Sequence, residues 1–185
     1  MKHIVWKAYW NFEKEEKWLN EMSAKGMALT DYSWCRYVFT EAPNNEYIYR
    51  IELLKNLPSH AESIAYIRFL EESGIECVAT YWRWIFLRKK SSEGPFDIYS
   101  DIESKINHYR RVNALFGVIG ALNLFACLFN IIDGIMLSME FDNNYLSYIS
   151  PIVLINGIIS IGFACLVIGY IRKVSKLKKE KLLHE

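Results

Sequence analysis

The sequence lacks the short motifs on which most enzyme assignments rest. It contains no HExxH, GxSxG or CxxC run, and its four cysteines, Cys35, Cys77, Cys127 and Cys165, are far apart. This spacing excludes a disulfide framework and the usual zinc-ligand pattern. Of the three glycines before residue 112, two follow predicted helices and one lies in a predicted hinge, so none is left for a phosphate-binding loop. We therefore expect no catalytic residue, no metal site and no cofactor.

The chain also lacks an excess of charge of either sign. Its 22 Lys and Arg residues and 21 Asp and Glu residues give a net charge of +1. This balance argues against a nucleic-acid partner. The first residues, Met1 to Lys7, lack the apolar stretch that a secretory signal needs. We therefore expect the first hundred residues to stay in the reducing cytoplasm.

Charged residues almost disappear from two stretches in the second half of the chain. Residues 112–139 carry one charge, Asp133, and residues 146–171 carry none. About 20 apolar residues are enough for a helix to cross a bilayer, so both stretches predict transmembrane helices. Basic residues flank the pair on its outer sides, which predicts a multi-pass protein of the cell membrane with both termini in the cytoplasm. After the second stretch, the residues expected to lie against anionic lipid are Arg172, Lys173, Lys176, Lys178 and Lys179.

A few polar residues interrupt the two spans. Asn123 and Asn156 lie near the middle of the first and second span, and we predict that they face one helix-pairing interface. The sequence leaves open whether the helices pair within one chain or between copies, so a homo-oligomer formed through the spans is one alternative. Packing is the simpler interpretation, and an ion or proton path, which would involve Asp133, is the other.

Residues 3–90 predict a β-α-β-β-α-β domain, the order of the ferredoxin-like fold. Asn11 is placed to cap a helix over 12–25, and Ser59 with Glu62 forms a capping-box pattern before the second helix. We assign single strands to residues 28–40 and 75–88, and another to 46–54, and we detect no internal repeat. Glu13, Glu15 and Glu16 are expected on a solvated helix face. The fold class is thus α+β, a ferredoxin-like cytoplasmic domain followed by a two-helix transmembrane hairpin.

The predicted organisation has six parts. They are a cytoplasmic domain at 1–91, a hinge and juxtamembrane helix at 92–111, a first span at 112–139, a short extracytoplasmic loop at 140–145, a second span at 146–171 and a basic cytoplasmic tail at 172–185.

One candidate binding site remains, on a sheet face that combines Arg with aromatic side chains. All six tryptophans precede residue 91. Such a face suits a flat or anionic ligand or a protein partner, because Trp, Tyr and Arg dominate interface hot spots. The competing interpretation is that the juxtamembrane helix covers this face and that its aromatics form core. The predicted ligand- or partner-binding residues are Lys7, Arg36, Arg50, Tyr81 and Arg83.

Five runs carry a resemblance to a known family: Trp10–Met22, Glu46–Ile51, Phe69–Glu76, Tyr81–Trp84 and Ile98–Ile102. Over roughly residues 7–111 the sequence resembles the DUF2812 family of bacterial membrane proteins, and the first run resembles the opening motif of that family. The resemblance implies a protein of unassigned activity without known catalytic residues. Genes of this family often lie beside PadR-type transcription regulators and sometimes near transporters.

These observations favour a membrane-anchored, non-enzymatic sensory or regulatory module whose cytoplasmic aromatic–Arg face binds a protein partner or a small ligand. The partners we expect are the lipid bilayer and a regulator or transporter. The alternative is an accessory subunit of a transport or envelope complex that acts through its transmembrane helices.

Overall fold

The computed structural model describes residues 1–99, 101–141 and 145–184, with backbone alone at 137, 138, 140, 141, 145–150, 183 and 184. The chain forms two units, Met1–Ser100 and Asp101–Glu185. Half of the predicted loop at 140–145, residues 142–144, lies outside the described residues.

Within residues 1–99, the described part of the N-terminal unit, there are six strands and two α-helices. Sheet A has the order β1-β3-β2 and sheet B the order β4-β6-β5, with antiparallel pairing throughout. The predicted α+β class is confirmed, but the structure has two three-stranded sheets where we predicted four strands in ferredoxin-like order. The elements are β1 (Lys2–Trp6), α1 (Phe12–Ala24), β2 (Met27–Ser33), β3 (Arg36–Glu41), β4 (Tyr47–Leu53), α2 (Ala61–Glu72), β5 (Glu76–Tyr81) and β6 (Trp84–Lys90), followed by a 3₁₀ turn at Ser91–Glu93.

The difference in strand number arises at two tight turns. Each of the long strands predicted at 28–40 and 75–88 is a hairpin. Trp34 and Cys35 have φ values of 41° and 63°, the two positive values of a type I′ turn, and Trp82 has φ 53°. Such turns usually contain Asn or Gly, so Trp-Cys and Trp-Arg gave no turn signal in the sequence.

The eight elements form an internal repeat that we did not detect from the sequence. Each half has the order β-α-β-β, and each sheet places its last strand in the centre. Gly26 and Gly74, both with positive φ, lie 48 residues apart, as do the turn residues Trp34 and Trp82. The register of each hairpin also shifts at equivalent positions, between Leu29 and Asp31 and between Cys77 and Ala79. The two halves therefore share one topology despite little sequence identity.

The helix termini follow local sequence rules. The Asn11 side chain caps α1 by accepting hydrogen bonds from the Glu13 and Lys14 amides, as predicted. His60 caps α2 instead of the predicted Ser59, with its ring nitrogen 3.3 Å from the Glu62 amide. After both α1 and α2 the chain turns through a glycine in the left-handed region.

Helix α1 covers the free edge of β4 with polar side chains. Asn20 accepts a hydrogen bond from the Tyr49 amide and donates one to the Tyr49 carbonyl. Glu16 accepts from the Ile51 amide, and Ser23 bonds both backbone groups of Tyr47. Glu16, Asn20 and Ser23 share one helix face because they are four and three residues apart. This ladder of side chains satisfies an edge that would otherwise invite strand pairing.

Sheet B is covered on both faces. One face carries Tyr49, Ile51 and Phe86, which are buried, and Phe86 packs 4.3 Å from the Tyr32 ring of sheet A. The opposite face forms a core of Leu54, Leu70, Ile85, Leu87 and Phe96, with Ile48, Tyr66, Ile67, Ile75, Cys77 and Ile98 packed around it. Sheet A differs, because its outer face carries the exposed side chains of β1.

The second unit is a pair of long helices, α3 (Ile102–Phe141) and α4 (Tyr145–His184). Each has 40 residues, about 60 Å of helix, which exceeds the roughly 30 Å of a bilayer core. Both are long and apolar enough to cross a membrane. Glu103 of α3 pairs with Lys181 of α4 at 3.0 Å, and the Tyr109 and Tyr170 rings are 6.1 Å apart. Beyond their apolar segments, near the start of α3 and the end of α4, the two helices therefore stay in contact through charged and aromatic side chains.

Candidate functional site

Four of the five predicted binding residues lie around the two hairpin turns of the N-terminal unit. The Lys7 amide donates to the Cys35 carbonyl in the first turn, and Arg36 begins the strand after that turn. Tyr81 and Arg83 flank Trp82 in the second turn. The Trp34 and Tyr81 rings are 6.3 Å apart, so the turns are neighbours. We call this set the hairpin-tip surface: Lys7, Trp34, Arg36, Tyr81, Trp82 and Arg83.

The two turn tryptophans dominate the hairpin-tip surface. Trp34 is 72% exposed and Trp82 is 53% exposed. Both hold left-handed backbone conformations, which are outliers for bulky side chains. Tyr81 packs edge-on against Tyr32, with ring centroids 5.7 Å apart, and thereby connects the surface to the core. The fold thus holds two indole rings in solvent at equivalent turns.

The cations of this surface differ in their roles. Arg83 donates through Nε and Nη2 to the Leu54 carbonyl at 2.9 and 2.6 Å, so its guanidinium is a structural brace. Arg36 forms a partly exposed ion pair with Asp31 at 3.4 Å. The Lys7 ammonium lies 4.8 Å from the Trp18 ring centroid, a cation–π contact. Arg36 and Lys7 are therefore the cations best placed to contact a partner.

Arg50 lies away from the hairpin-tip surface. It pairs with Glu16 at 3.2 Å, and its guanidinium stacks over the Phe96 ring at 5.7 Å. The face of sheet B that carries Arg50 is the one covered by α2 and Phe96. The structure therefore separates Arg50 from the other four predicted residues and gives it packing contacts.

A buried carboxyl group lies beneath the surface, and sequence reasoning missed it. We predicted that Glu15 and Glu16 are solvated, but Glu15 is 8% exposed and accepts a 2.6 Å hydrogen bond from the Tyr37 hydroxyl. Burial raises the pKa of Glu15 to about 7. Burial also raises the pKa of Glu16, against the opposing effect of Arg50. Loss of solvation around the adjacent Tyr32 raises the pKa of that phenol to about 12.

Asn123, one of the two predicted helix-pairing residues, lies where α3 and α4 meet. Asn123 accepts a 2.7 Å hydrogen bond from the Ser160 hydroxyl, and Asn156 lies one turn before Ser160 on the same face of α4. The two helices thus pair within one chain. The five predicted membrane-surface residues all lie on α4: Arg172, Lys173, Lys176, Lys178 and Lys179. Lys173 stacks on the Tyr109 and Tyr170 rings at 5.7 Å, and the other four are at least partly exposed.

The described residues contain no group of three or more His, Cys, Asp or Glu side chains that could hold a metal ion. The comparisons with curated proteins and with solved structures gave no match. The model of the DUF2812 family, proteins of unknown function, matches residues 11–121, which is more than half of the chain and extends from α1 into α3. The chain belongs to the DUF2812 family.

Proposed function

We propose that this protein is a membrane-anchored, non-enzymatic regulatory module whose hairpin-tip surface binds a protein partner. The observation that carries the proposal is the pair of equivalent tryptophans, Trp34 and Trp82, exposed at adjacent turns in strained backbone. Helices α3 and α4 supply the anchor, because both are long and apolar enough to cross a membrane.

The strain at the turns supports a functional role. A left-handed conformation costs a residue with a side chain about 1–2 kcal/mol. Asn or Gly would remove much of this cost, and neither exposed indole gains full burial in return. Strained residues that persist in a fold cluster at binding and switching sites. Trp34 and Trp82 therefore fit a surface selected for contact rather than for stability.

The composition and exposure of the surface favour a macromolecular partner over a small ligand. Trp, Tyr and Arg are the residues that dominate protein–protein hot spots. Small-molecule sites are usually concave and bury most of the ligand, whereas Trp34 and Trp82 each expose more than half of their area. A flat partner surface that desolvates both indoles and meets Arg36 at the rim would use all of these features.

The charge distribution supports a cytoplasmic location for this surface. Basic residues flank the two apolar helices at the start of α3 and the end of α4, which favours cytoplasmic termini. The partner we propose is accordingly a cytoplasmic regulator or the cytoplasmic part of a transporter.

The test replaces both turn tryptophans by a residue that tolerates the same backbone. Trp34→Asn/Trp82→Asn keeps the turns, because Asn adopts positive φ readily. Phe69→Gln on α2 is the matched control, since Phe69 is an equally exposed aromatic at 61%. After cross-linking in cells and detergent extraction, proteins enriched with wild type and with the control should be lost with the double variant. A candidate identified in this way is then purified and its binding measured directly.

The stability of each variant separates binding from folding. Four tryptophans remain in the double variant, all in the N-terminal unit, so their fluorescence reports its unfolding within the full-length protein. We expect a melting temperature at or above that of wild type. Equal recovery and equal direct binding by all three proteins, or a large loss of stability in the double variant, would contradict the proposal.

A transport-accessory role through the spans is the second candidate. The observation that favours it is Asp133, an exposed carboxylate on an otherwise apolar part of α3. Two other polar side chains of α3 have partners, since Asn123 accepts from Ser160 and Asn130 donates to the Ala126 carbonyl of its own helix. If this role is correct, Asp133→Asn should impair the associated transport while Trp34→Asn/Trp82→Asn leaves it unchanged.

A further inference from the structure

The edge strands of the two sheets differ in whether a helix covers them. In sheet B, α1 covers the edge strand β4 with Glu16, Asn20 and Ser23. In sheet A the equivalent edge strand is β1. Helix α1 does not cover β1, because its polar side chains bond to β4. The side chains of Lys2, Ile4 and Trp6 are all exposed, with Ile4 at 53% and Trp6 at 68%. A flat strand edge with exposed apolar side chains is a template for another strand.

The backbone of β1 also presents free hydrogen-bonding groups. The Lys7 amide donates inward to the Cys35 carbonyl of the hairpin. Inward and outward groups alternate along an antiparallel strand, so the N–H and C=O groups of Lys2, Ile4 and Trp6 point away from β3. A partner strand would find three residues with both backbone groups available.

A second copy of the chain cannot cover β1 in the way that α1 covers β4. The positions of α2 that are equivalent to Glu16, Asn20 and Ser23 are occupied by Ile64, Arg68 and Glu71. These side chains do not reproduce the amide and hydroxyl that bond both backbone groups of a strand residue. Strand pairing is the remaining way for a second copy to satisfy this edge.

We infer that β1 pairs antiparallel with β1 of a second copy, centred on Ile4, so that sheet A continues across a twofold axis. In this register Ile4 lies opposite Ile4, and Lys2 lies opposite Trp6 at both ends. It is the one register that pairs all three outward-facing residues with each other. Within the paired strands Lys2–Trp6 no like charges meet, and each Lys2 ammonium is placed beside an indole ring, a favourable cation–π arrangement.

The interface is small and therefore depends on co-localisation. A five-residue strand pair buries less than the roughly 1,200 Å² of a stable standard interface. Two copies anchored in one bilayer meet at a high effective concentration, which makes such a weak contact effective. We therefore expect the pairing in membranes or vesicles and its loss on dilution in detergent.

Disulfide trapping in native membranes tests both the contact and its register. The variants are made in a background in which Cys35, Cys77, Cys127 and Cys165 are replaced by Ser. Ile4 pairs at about 5.5 Å between Cα atoms, within disulfide range. Ile4→Cys should form covalent dimers at least about tenfold faster than Lys25→Cys, an exposed control position, because the register raises the local thiol concentration.

Cysteines at the flanking positions, Lys2 and Trp6, test the register of the strand pair. Two Lys2 residues would lie about 14 Å apart, which is too far for a disulfide. Lys2→Cys alone should therefore not cross-link, whereas Lys2→Cys co-expressed with Trp6→Cys should form the mixed dimer. Cross-linking of Lys2→Cys to itself at the rate of Ile4→Cys would overturn the register.

A proline pair separates loss of pairing from loss of folding. Ile4→Pro removes an outward N–H and leaves the β1–β3 ladder intact. Val5→Pro, its comparison, removes an inward N–H and therefore breaks that ladder. In chains carrying Lys2→Cys or Trp6→Cys, Ile4→Pro should abolish the mixed dimer while tryptophan fluorescence shows a folded unit. If Ile4→Cys reacts no faster than Lys25→Cys, or if the mixed dimer persists with Ile4→Pro, β1 does not pair with itself. Dimers trapped through cysteines in the spans but not through β1 would likewise overturn the strand pairing.

Discussion

The Tyr37 hydroxyl donates a 2.6 Å hydrogen bond to the Glu15 carboxyl group inside the N-terminal unit. Burial raises the pKa of Glu15 from 4.5 to about 7 in the folded protein. Between these two pH values the folded state keeps a proton that the unfolded chain releases, so stability falls as pH rises from about 4.5 to 7. The full effect is about 3 kcal/mol. Glu15→Gln should therefore stabilise the protein at pH 8 and flatten this dependence.

The measurement is chemical unfolding of the full-length protein at pH 5 and pH 8, followed by tryptophan fluorescence. Glu21→Gln on the exposed side of α1 is the charge-matched control and should leave the pH dependence unchanged. A residual slope of the same sign is expected from Glu16, whose pKa burial also raises. A Glu15→Gln variant as pH-sensitive as wild type would show that this carboxyl group is solvated.

The second prediction concerns the hydrogen bonds by which side chains of α1 cover the edge of β4. Asn20→Ala leaves both backbone groups of Tyr49 without their side-chain partner, and Tyr49 is fully buried. We expect a loss of about 2 kcal/mol in the free energy of unfolding, because buried polar groups that lose their partners cost about 1–3 kcal/mol. Lys17→Ala, on the exposed face of the same helix, should change stability by less than about 0.5 kcal/mol.

Exposure of the β4 edge in Asn20→Ala should also promote aggregation. An exposed edge pairs readily with other strands, so Asn20→Ala should aggregate in detergent at temperatures at which Lys17→Ala stays dispersed. Light scattering during a thermal ramp measures this difference. Equal aggregation onsets would mean that α1 covers β4 without its side-chain ladder.

Local sequence rules predicted the parts of the fold that depend on nearby residues. Asn11 and Gly26 bracket α1 as expected, and the two apolar helices were identified from composition alone. The hairpins were missed because Trp34-Cys35 and Trp82-Arg83 adopt turn conformations that their residue types disfavour. The repeat was not detected because the two halves share little sequence identity, so that only their structures reveal the common topology.

The residue types of the candidate site were predictable from the sequence, but which of these residues lie close together was not. Strand alternation assigned Arg36 and Arg83 to one open sheet face, with Tyr81 nearby, and the structure places these three residues near one another at the hairpin turns. Strand alternation assigned Arg50 to the same open face, but α2 and Phe96 cover the face of sheet B that carries Arg50, a tertiary contact that alternation could not reveal. Burial of Glu15 depends on Tyr37, a partner 22 residues away, which helix periodicity cannot reveal.

The third prediction separates two arginines of the hairpin-tip surface. Arg83→Ala removes both donors from the Leu54 carbonyl and should cost about 2 kcal/mol, the range for hydrogen bonds to charged groups. Arg36→Ala breaks an exposed ion pair with Asp31 and should cost less than about 1 kcal/mol. Denaturant titration of both variants measures the difference. Equal costs would contradict the bracing role of Arg83.

The last prediction concerns the contact between α3 and α4. A Cβ atom at Gly120 would lie 2.9 Å from the Phe163 Cβ atom, whereas one at Gly117 would meet nothing within 4 Å. Gly120→Val should therefore push the helices apart at a cost of about 1–3 kcal/mol, the usual penalty for overpacking, and Gly117→Val should be tolerated. Cys127 lies 3.8 Å from the Val153 carbonyl, so a thiol introduced by Val153→Cys, with Cys165→Ser, reports helix proximity. Its disulfide with Cys127 should form more slowly in Gly120→Val than in Gly117→Val. Equal rates would mean that the helices are not held together at Gly120, and the polar contact between Asn123 and Ser160 would then have to define the pairing.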